Sequence, residues 1–529
     1  MRSFNRKANI TILTLYLFLI VYSFVFVFVT DNTVLLWILI PVLAAGLWFA
    51  AKTLLSQVSK IYIKDHDRPS WKNCAAYFAV ISFFAFLVLM VWFIAYRPGS
   101  FQGDCMRQFR QVFEKSYDDW HPVLQTLLFY TLPLKLTHNA FWAPTFFQMV
   151  WFSLTIGYLG MVIYKYAGRM WSAVTILYIM LNPYTGQMLL YPWKDCAFAI
   201  TGTLAMIMSA EIYFSEGKWA DKWYRCVLLG LALSCTSIFR HNAILYTAVL
   251  LIAIFFVLWG SSGKTVGKLS VGWLAVTGTF ILSWFLIKVP LYNALDVTRT
   301  PQSVVQAVGL PMSIIGNVVK ETPDLLDEET AEFAYSIADQ EAWENDYELG
   351  NFGVMKYYGE VDLDPIEKKG TVAIVKMTFR CIGNSPKASL KAIFALTDIV
   401  YGLDLKDEGY IGAQIIDNDY GIMYRGNERL ADLLMTYYKL VRLHGLNYFR
   451  QFAFALLALL TVILAKCDLT NRHDWKKILL CLGIFTYSFG TMLLLTSADS
   501  RFFYIDYPVC PLAMIIILRR NNDTIGEKT

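Results

Sequence analysis

The sequence predicts an all-α polytopic integral membrane protein of about twelve transmembrane helices with a large extracytoplasmic loop insert. Three observations predict it. Of 529 residues, 57% are hydrophobic and only 16% are charged, against roughly 25% charged in ordinary soluble domains. The apolar residues fall in runs of about 17 to 25, the length that crosses a bilayer as a helix. Lys and Arg collect in alternate connections between these runs, as expected of loops held on the cytoplasmic side.

The spans are expected near residues 10–29, 34–51, 73–96, 140–164, 171–190, 194–214, 224–239, 241–259, 271–289, 449–465, 478–497 and 501–518. Arg2, Arg6 and Lys7 precede the first and put the N-terminus inside. The connections then predicted inside carry Lys52, Lys60, Lys64, Arg68 and Lys72; Lys165 and Arg169; Lys218, Lys222 and Arg225; Lys264 and Lys268; and Lys466, Arg472, Lys476 and Lys477. Arg519 and Arg520 place the C-terminus inside as well. The first span has the basic flank of a signal peptide, but its apolar run is longer than the usual 7–15 residues and no small-residue cleavage site follows, so it reads as a retained anchor.

Three regions follow: an N-terminal transmembrane bundle over 1–289 with a first outer loop at 97–139, an extracytoplasmic region over 290–447, and C-terminal transmembrane helices over 448–529. Residues 290–447 hold 14 Lys or Arg against 24 Asp or Glu, so an acidic insert is joined to a basic membrane part. The basic residues form no single patch, which argues against nucleic acid as a partner. Nine cysteines are scattered without a metal or framework spacing and read as small packing residues. Cys105 and Cys381 are both expected outside, where a bridge between them is conceivable.

The first outer loop reads Arg97-Pro98-Gly99-Ser100-Phe101-Gln102-Gly103-Asp104, then a polar helix to about Lys115, then Asp118-Asp119-Trp120-His121-Pro122. Val123 to Leu136 is apolar but too short to span and is interrupted by Pro133, so it is expected to lie in the interface or re-enter it. In the insert, residues 301–320 have amphipathic helical spacing opened by Thr300-Pro301 as a cap. Acidic helices are expected over 328–347, and irregular surface from Gly402 to Gly426.

Charged residues at a membrane boundary are costly unless they snorkel, pair or line a polar cavity. Asp104, Asp119, His121, Lys194, Asp195, Arg240, Asp499 and Arg501 all fall at the predicted outer ends of separate spans. Each has a plainer reading. Asp104 can cap the helix behind it, Asp118-Asp119 can be solvated, His121 can close a turn, Lys194-Asp195 and Arg240 can snorkel, and Arg501 can belong to an aromatic belt. Together they suit a reaction in which a lipid-linked phosphate leaves, since cations neutralise the phosphate while a carboxylate takes the proton of an incoming hydroxyl. That is glycosyl transfer from a polyprenyl-phosphate sugar.

The order of these motifs resembles the GT-C superfamily of membrane glycosyltransferases, which includes protein O-mannosyltransferases, lipid A aminoarabinose transferases and a large bacterial branch. The matching stretches are Pro98 to Asp104, Asp119-Trp120-His121-Pro122-Val123-Leu124 with its short helix, Trp193-Lys194-Asp195, Phe239-Arg240-His241-Asn242, and Asp499-Ser500-Arg501-Phe502-Phe503-Tyr504. The helix at 301–320 also resembles the start of the large outer loop in the bacterial branch.

The resemblance implies a multi-pass enzyme of the bacterial cytoplasmic membrane with an extracytoplasmic active site. It implies inverting transfer from a polyprenyl-phosphate sugar to a glycan, lipid or protein acceptor, with Asp104 as acid–base residue, Asp195 orienting Lys194 or the acceptor, and His121 beside them. Lys194, Arg240 and Arg501 would hold the donor phosphate; Asp119 and Asp499 are further site candidates. The mannosyltransferases carry an Asp-Glu pair where this chain has Asp104-Cys105, which implies a different acceptor. Some relatives need a divalent metal, for which Asp104, His121 and Asp195 offer ligands, although no spacing demands one. Two other readings share the lipid donor: a flippase or transporter of lipid-linked glycans, and an O-antigen-type polymerase or ligase. Charges gathered at one surface and the lack of a repeat favour the enzyme.

Overall fold

The computed structural model describes residues 2–29, 33–64, 67–259, 266–299, 304–402, 412–443, 452–468 and 471–519. Among them there are helices and isolated bridges but no strands, as an all-α polytopic membrane protein requires. Among the described residues, eight helices are long and apolar enough to cross a membrane: Arg6–Val29, Ile40–Val58, Trp71–Ala95, Ala143–Ala167, Lys194–Phe214, His241–Trp259, Val271–Ala294 and Ser500–Leu518. Expected spans seven and ten are the shorter helices Trp223–Phe239 and Phe452–Lys466. The eleventh is a 21-residue helix, Arg472–Met492, with Asp474 in its first turn.

The expected fifth span, 171–190, is broken. Arg169–Met180 stops, and a second helix, Pro183–Leu190, starts with Asn182 as its cap, the side chain accepting from Tyr184 N at 3.0 Å. Pro183 has no N–H to continue the first helix and restricts the residue before it, yet suits the first position of a new one. Val123–Leu136 is one short apolar segment, as expected, with a π turn at Leu127–Thr131 where Leu132 N–H reaches back to Leu127 O. Pro133 follows at once, and a wider turn accommodates a ring that blocks the usual helical bond.

The chain forms two compact units. One comprises Met1–Leu54, Thr300–Glu408 and Ser488–Ser500. Its core is built on Gly309–Glu321, preceded by the short helix Val304–Ala307. These cover most of the expected amphipathic helix, whose Thr300-Pro301 cap lies outside the described residues. Val308, Met312, Ile315 and Val319, on one face at helical spacing, are at most 1% exposed. They pack with Trp343, Tyr347 and Phe352 and with the helices Thr371–Asn384 and Pro386–Tyr401. Trp343 Nε1 donates to Ala334 O at 3.1 Å and Tyr347 OH to Ser313 O at 2.6 Å, so the polar ends of both rings are satisfied in the interior. The acidic stretch folds as Glu328–Ile337 and Gln340–Asn345, each opened by an aspartate cap: Asp327 accepts from Thr330 N and Asp339 from Ala342 N. Cys381 packs in this core, and all nine cysteines, Cys105 included, are free thiols. Of Gly402–Gly426, residues 403–411 lie outside the described residues, and 412–426 hold no helix.

The other unit comprises Leu55–Arg299, Gly409–Tyr487 and Arg501–Thr529. Its two central helices are Lys194–Phe214 and Ser500–Leu518, with 78% and 83% of their apolar windows buried, against 6% for Val271–Ala294. Close packing here depends on Gly202, where a Cβ would meet Ile505 Cδ1 at 2.5 Å. Both central helices begin with charged residues at the same end of this unit, which sets the position of the site.

Trp343→Ala is expected to cost about 3–5 kcal/mol, as for other large buried aromatics. Limited proteolysis of the variant in lipid nanodiscs should cleave the 304–402 region faster than in the wild type, and equal cleavage rates would show that this core does not hold the insert.

Candidate active site

Lys194 and Asp195 open the Lys194–Phe214 helix. Asp195 is 2% exposed, and a carboxylate in the first turn meets the positive end of the helix dipole. Its main partner is Arg240, which ends the Trp223–Phe239 helix in an extended conformation that turns the side chain inward. Arg240 Nε also donates to Asn242 Oδ1 at 3.0 Å, and the guanidinium lies 4.2 Å from the Phe502 ring centre. Such burial of an ion pair is tolerated only when both groups are held by further contacts.

Arg501 sits on the short 3-10 turn Ser500–Phe503. Its guanidinium donates to Asp104 Oδ2 at 3.1 Å, and its Nε is 3.9 Å from Asp195 Oδ2. Trp193 and Phe502 face it at 4.9 and 5.1 Å from their ring centres. Asp104 lies in the first turn of Gly103–Glu114, but that helix end has no side-chain cap, so the carboxylate serves Arg501 rather than its own backbone. The Asp104–Arg501–Asp195–Arg240 chain thus joins four separate segments of the sequence.

Lys194 is the third cation. Its Nζ donates to Trp120 O at 3.1 Å and lies 5.6 Å from the Trp120 ring centre, and among the described residues no carboxylate lies within 4.0 Å of it. His121 completes the cluster: it is 1% exposed, its Nε2 has no hydrogen-bond partner among the described residues, and that atom is 4.0 Å from Asp104 Oδ1. Burial, and then Lys194, push the imidazole down to about 4 in spite of Asp104, so His121 is neutral near pH 7. Burial opposes the charge on Asp104, but Arg501 and Lys194 outweigh it and hold the carboxyl below its ordinary value.

The loop that carries Trp120 and His121 is clamped on both flanks. Asp118 accepts from Trp120 N at 3.0 Å and pairs with Arg107 at 3.4 Å. Asp119 pairs with Lys288 at 2.9 Å and accepts from the Tyr292 hydroxyl, and its backbone N–H donates to Thr298 O at 3.0 Å. Behind the site, Tyr130 OH and Gln125 Nε2 donate to Pro192 O at 3.0 and 3.2 Å, fixing the turn before Trp193. Gly99 allows the first loop to approach that turn. Its φ is +126°, and a Cβ there would lie 2.3 Å from Thr145 Oγ1 and 2.9 Å from Leu190 O.

Of the residues singled out in the sequence, Asp104, His121, Lys194, Asp195, Arg240 and Arg501 come together. Asp119 is close in sequence to His121 but its carboxylate is bound by Lys288 and Tyr292. Asp499 belongs to the other unit and is partly buried there. Lys288 and Tyr292 were not singled out; a Lys in the last turn of an apolar span with a Tyr four residues on was the available signal. Asp104, His121 and Asp195 do not make a metal ligand set: among the described residues no three His, Cys, Asp or Glu side chains gather to hold an ion, and Asp195 faces two arginines.

No family model matches the sequence, and no curated protein matches it either. Among solved structures the chain is similar to ArnT from Cupriavidus metallidurans, in a crystal structure bound to undecaprenyl phosphate, with 12% identity over 85% of this chain and 78% of that one. The TM-score is 0.30, a likeness too loose to carry an argument.

His121 makes the site sensitive to acid. Its folded value of about 4 lies below the ordinary 6.5, so the folded state binds fewer protons than the unfolded one between these limits. Stability is then complete above pH 6.5 and is lost as the pH falls toward 4. Thermal unfolding in nanodiscs should show this decline in the wild type and a shallower one in His121→Gln; identical profiles would contradict a buried neutral imidazole.

Proposed function

We propose that the protein is a glycosyltransferase that moves a sugar from a polyprenyl-phosphate donor to a hydroxyl acceptor, in the manner of the GT-C enzymes its motifs resemble. One observation carries this reading: three cations face two carboxylates, and the surplus positive charge is Lys194, beside Asp104. A phosphodiester, with one negative charge, supplies the missing anion.

In this reading Lys194 and the neighbouring arginines hold the donor phosphate. Asp104 Oδ1 is the base, because Oδ2 is engaged by Arg501 while Oδ1 faces His121. Two atoms 4.0 Å apart can both lie about 2.8 Å from one hydroxyl oxygen placed to their side, within the reach a general base needs. An acceptor hydroxyl seated there donates to Asp104 and accepts from His121. As its oxygen bonds to the anomeric carbon, the proton passes to Asp104, the bond from that carbon to the phosphate oxygen breaks, and the electron pair leaves on the phosphate. Attack opposite the leaving group inverts the anomeric centre. Asp195 keeps Arg240 in place and touches neither sugar nor acceptor.

The net charge of the site is the same before and after the step, since the charge that Asp104 loses appears on the departing phosphate. A site withdrawn from water favours such a transfer, because no new uncompensated charge is created. The positive-inside pattern supports an extracytoplasmic site, on the side where acceptors of the cell envelope are found. The acceptor is a glycan, lipid or protein hydroxyl.

Purified protein in nanodiscs, offered a panel of radiolabelled polyprenyl-phosphate sugars, should transfer label to an acceptor or to water, and Asp104→Asn should lose at least about a hundredfold of that rate. Full activity in Asp104→Asn removes Asp104 as the base. Binding without turnover in the wild type favours a carrier of lipid-linked glycans.

A further inference from the structure

We propose that Arg501 is a donor-operated switch, holding Asp104 until a polyprenyl phosphate arrives and then exchanging that carboxylate for a phosphate oxygen, so that the base is released only when the donor is in place. This rests on the glycosyltransferase reading of the same site and adds to it an obligatory order, donor before acceptor activation.

The argument begins with the unequal ties of the four charged groups. Asp195 has a close partner of its own in Arg240, and Arg501 Nε is 3.9 Å away from it. Asp104, by contrast, has Arg501 as its one close cation among the described residues, at 3.1 Å. Removing Arg501 from the chain therefore leaves Asp195 neutralised and takes from Asp104 its nearest cation. The ion pair that keeps Asp104 charged also makes it a poor proton acceptor, because a proton must displace the guanidinium's attraction. A base held in this way gains strength only when the guanidinium is drawn elsewhere.

Arg501 is placed to move. It stands on the four-residue 3-10 turn Ser500–Phe503, at the very start of the last apolar segment, and its guanidinium rests against Trp193 and Phe502. A planar guanidinium keeps its attraction to an aromatic face while shifting along it, so the path costs less than withdrawal into lipid. Lys194 acts on Asp104 as well as Arg501 does, which places a phosphate bound by both cations next to the carboxylate it displaces. Arg501 can fork two N–H groups onto a phosphate, which offsets the bond it gives up. After exchange the donor phosphate and Asp104 share the field of three cations, and total charge stays balanced.

The consequence for selectivity is that an acceptor hydroxyl meeting the protein before the donor finds a weak base, and water meeting the bound donor finds a strong one only within the closed cluster. Unproductive proton transfer is limited to the donor-bound state.

The test is a double-mutant cycle on binding, with polyprenyl phosphate lacking the sugar as the probe, in nanodiscs at pH 7. The four proteins are wild type, Asp104→Asn, Arg501→Gln and the double variant, with thermal unfolding as a check on folding and Arg501→Lys as a charge-keeping control. Asp104→Asn should bind about tenfold more tightly than wild type, because Arg501 no longer has to be pulled from a carboxylate. In the Arg501→Gln background the same change should give almost no gain. An equal gain in both backgrounds means that Asp104 merely repels the phosphate through space and overturns the switch, as does no gain in either. Failure of all four proteins, the folded wild type included, to bind polyprenyl phosphate overturns the glycosyltransferase reading itself.

Discussion

The Arg240–Asp195 pair is the constraint on which the arrangement depends. It ties the end of one apolar helix to the start of another with the two side chains 10% and 2% exposed, where an unpaired charge of either sign would be costly. Because Asp195 is 2% exposed and is served first by Arg240, Arg501 is left with capacity for Asp104, and among the described residues Lys194 has no carboxylate within 4.0 Å. One buried pair therefore decides which cations remain for a substrate. The same helix start that buries Asp195 also presents Lys194 to the Trp120 carbonyl, so the fixed pair and the surplus cation are adjacent residues with different fates.

Precision at this site comes from packing around it. The Pro192 carbonyl is held by Tyr130 and Gln125, Gly99 lets the first loop reach that turn, and the Lys288–Asp119–Tyr292 cluster fixes the segment on which His121 is carried. These contacts touch no reacting group. They limit the freedom of Asp104 and His121 relative to one another, and proton transfer falls off steeply when such atoms are displaced.

Much of the architecture could be read in the sequence because bilayer thickness and the alternation of basic loops are strong, additive signals. The positions of most spans followed from them, and six ionisable residues placed at one end of the bundle do converge. The break at Leu181-Asn182-Pro183 was less legible: its residues are apolar enough to continue a span, and only Pro183 after an Asn marked the new helix. Asp119 illustrates a different limit. Its partner, Lys288, is 169 residues away, and periodicity within a helix says nothing about which carboxylate a distant lysine meets. The stacking of Arg240 on Phe502 and of Arg501 on Trp193 was hidden for the same reason, although the aromatic residues stood in the quoted motifs.

A structure of the protein in nanodiscs with a polyprenyl-phosphate sugar bound tests the central claim most directly, namely that the surplus cation beside Asp104 is a phosphate site. The account predicts phosphate oxygens on Lys194 Nζ and the Arg501 guanidinium, the Arg240–Asp195 pair intact, and Asp104 Oδ1 open toward His121. A phosphate bound away from Lys194, with Arg501 still on Asp104, would contradict it.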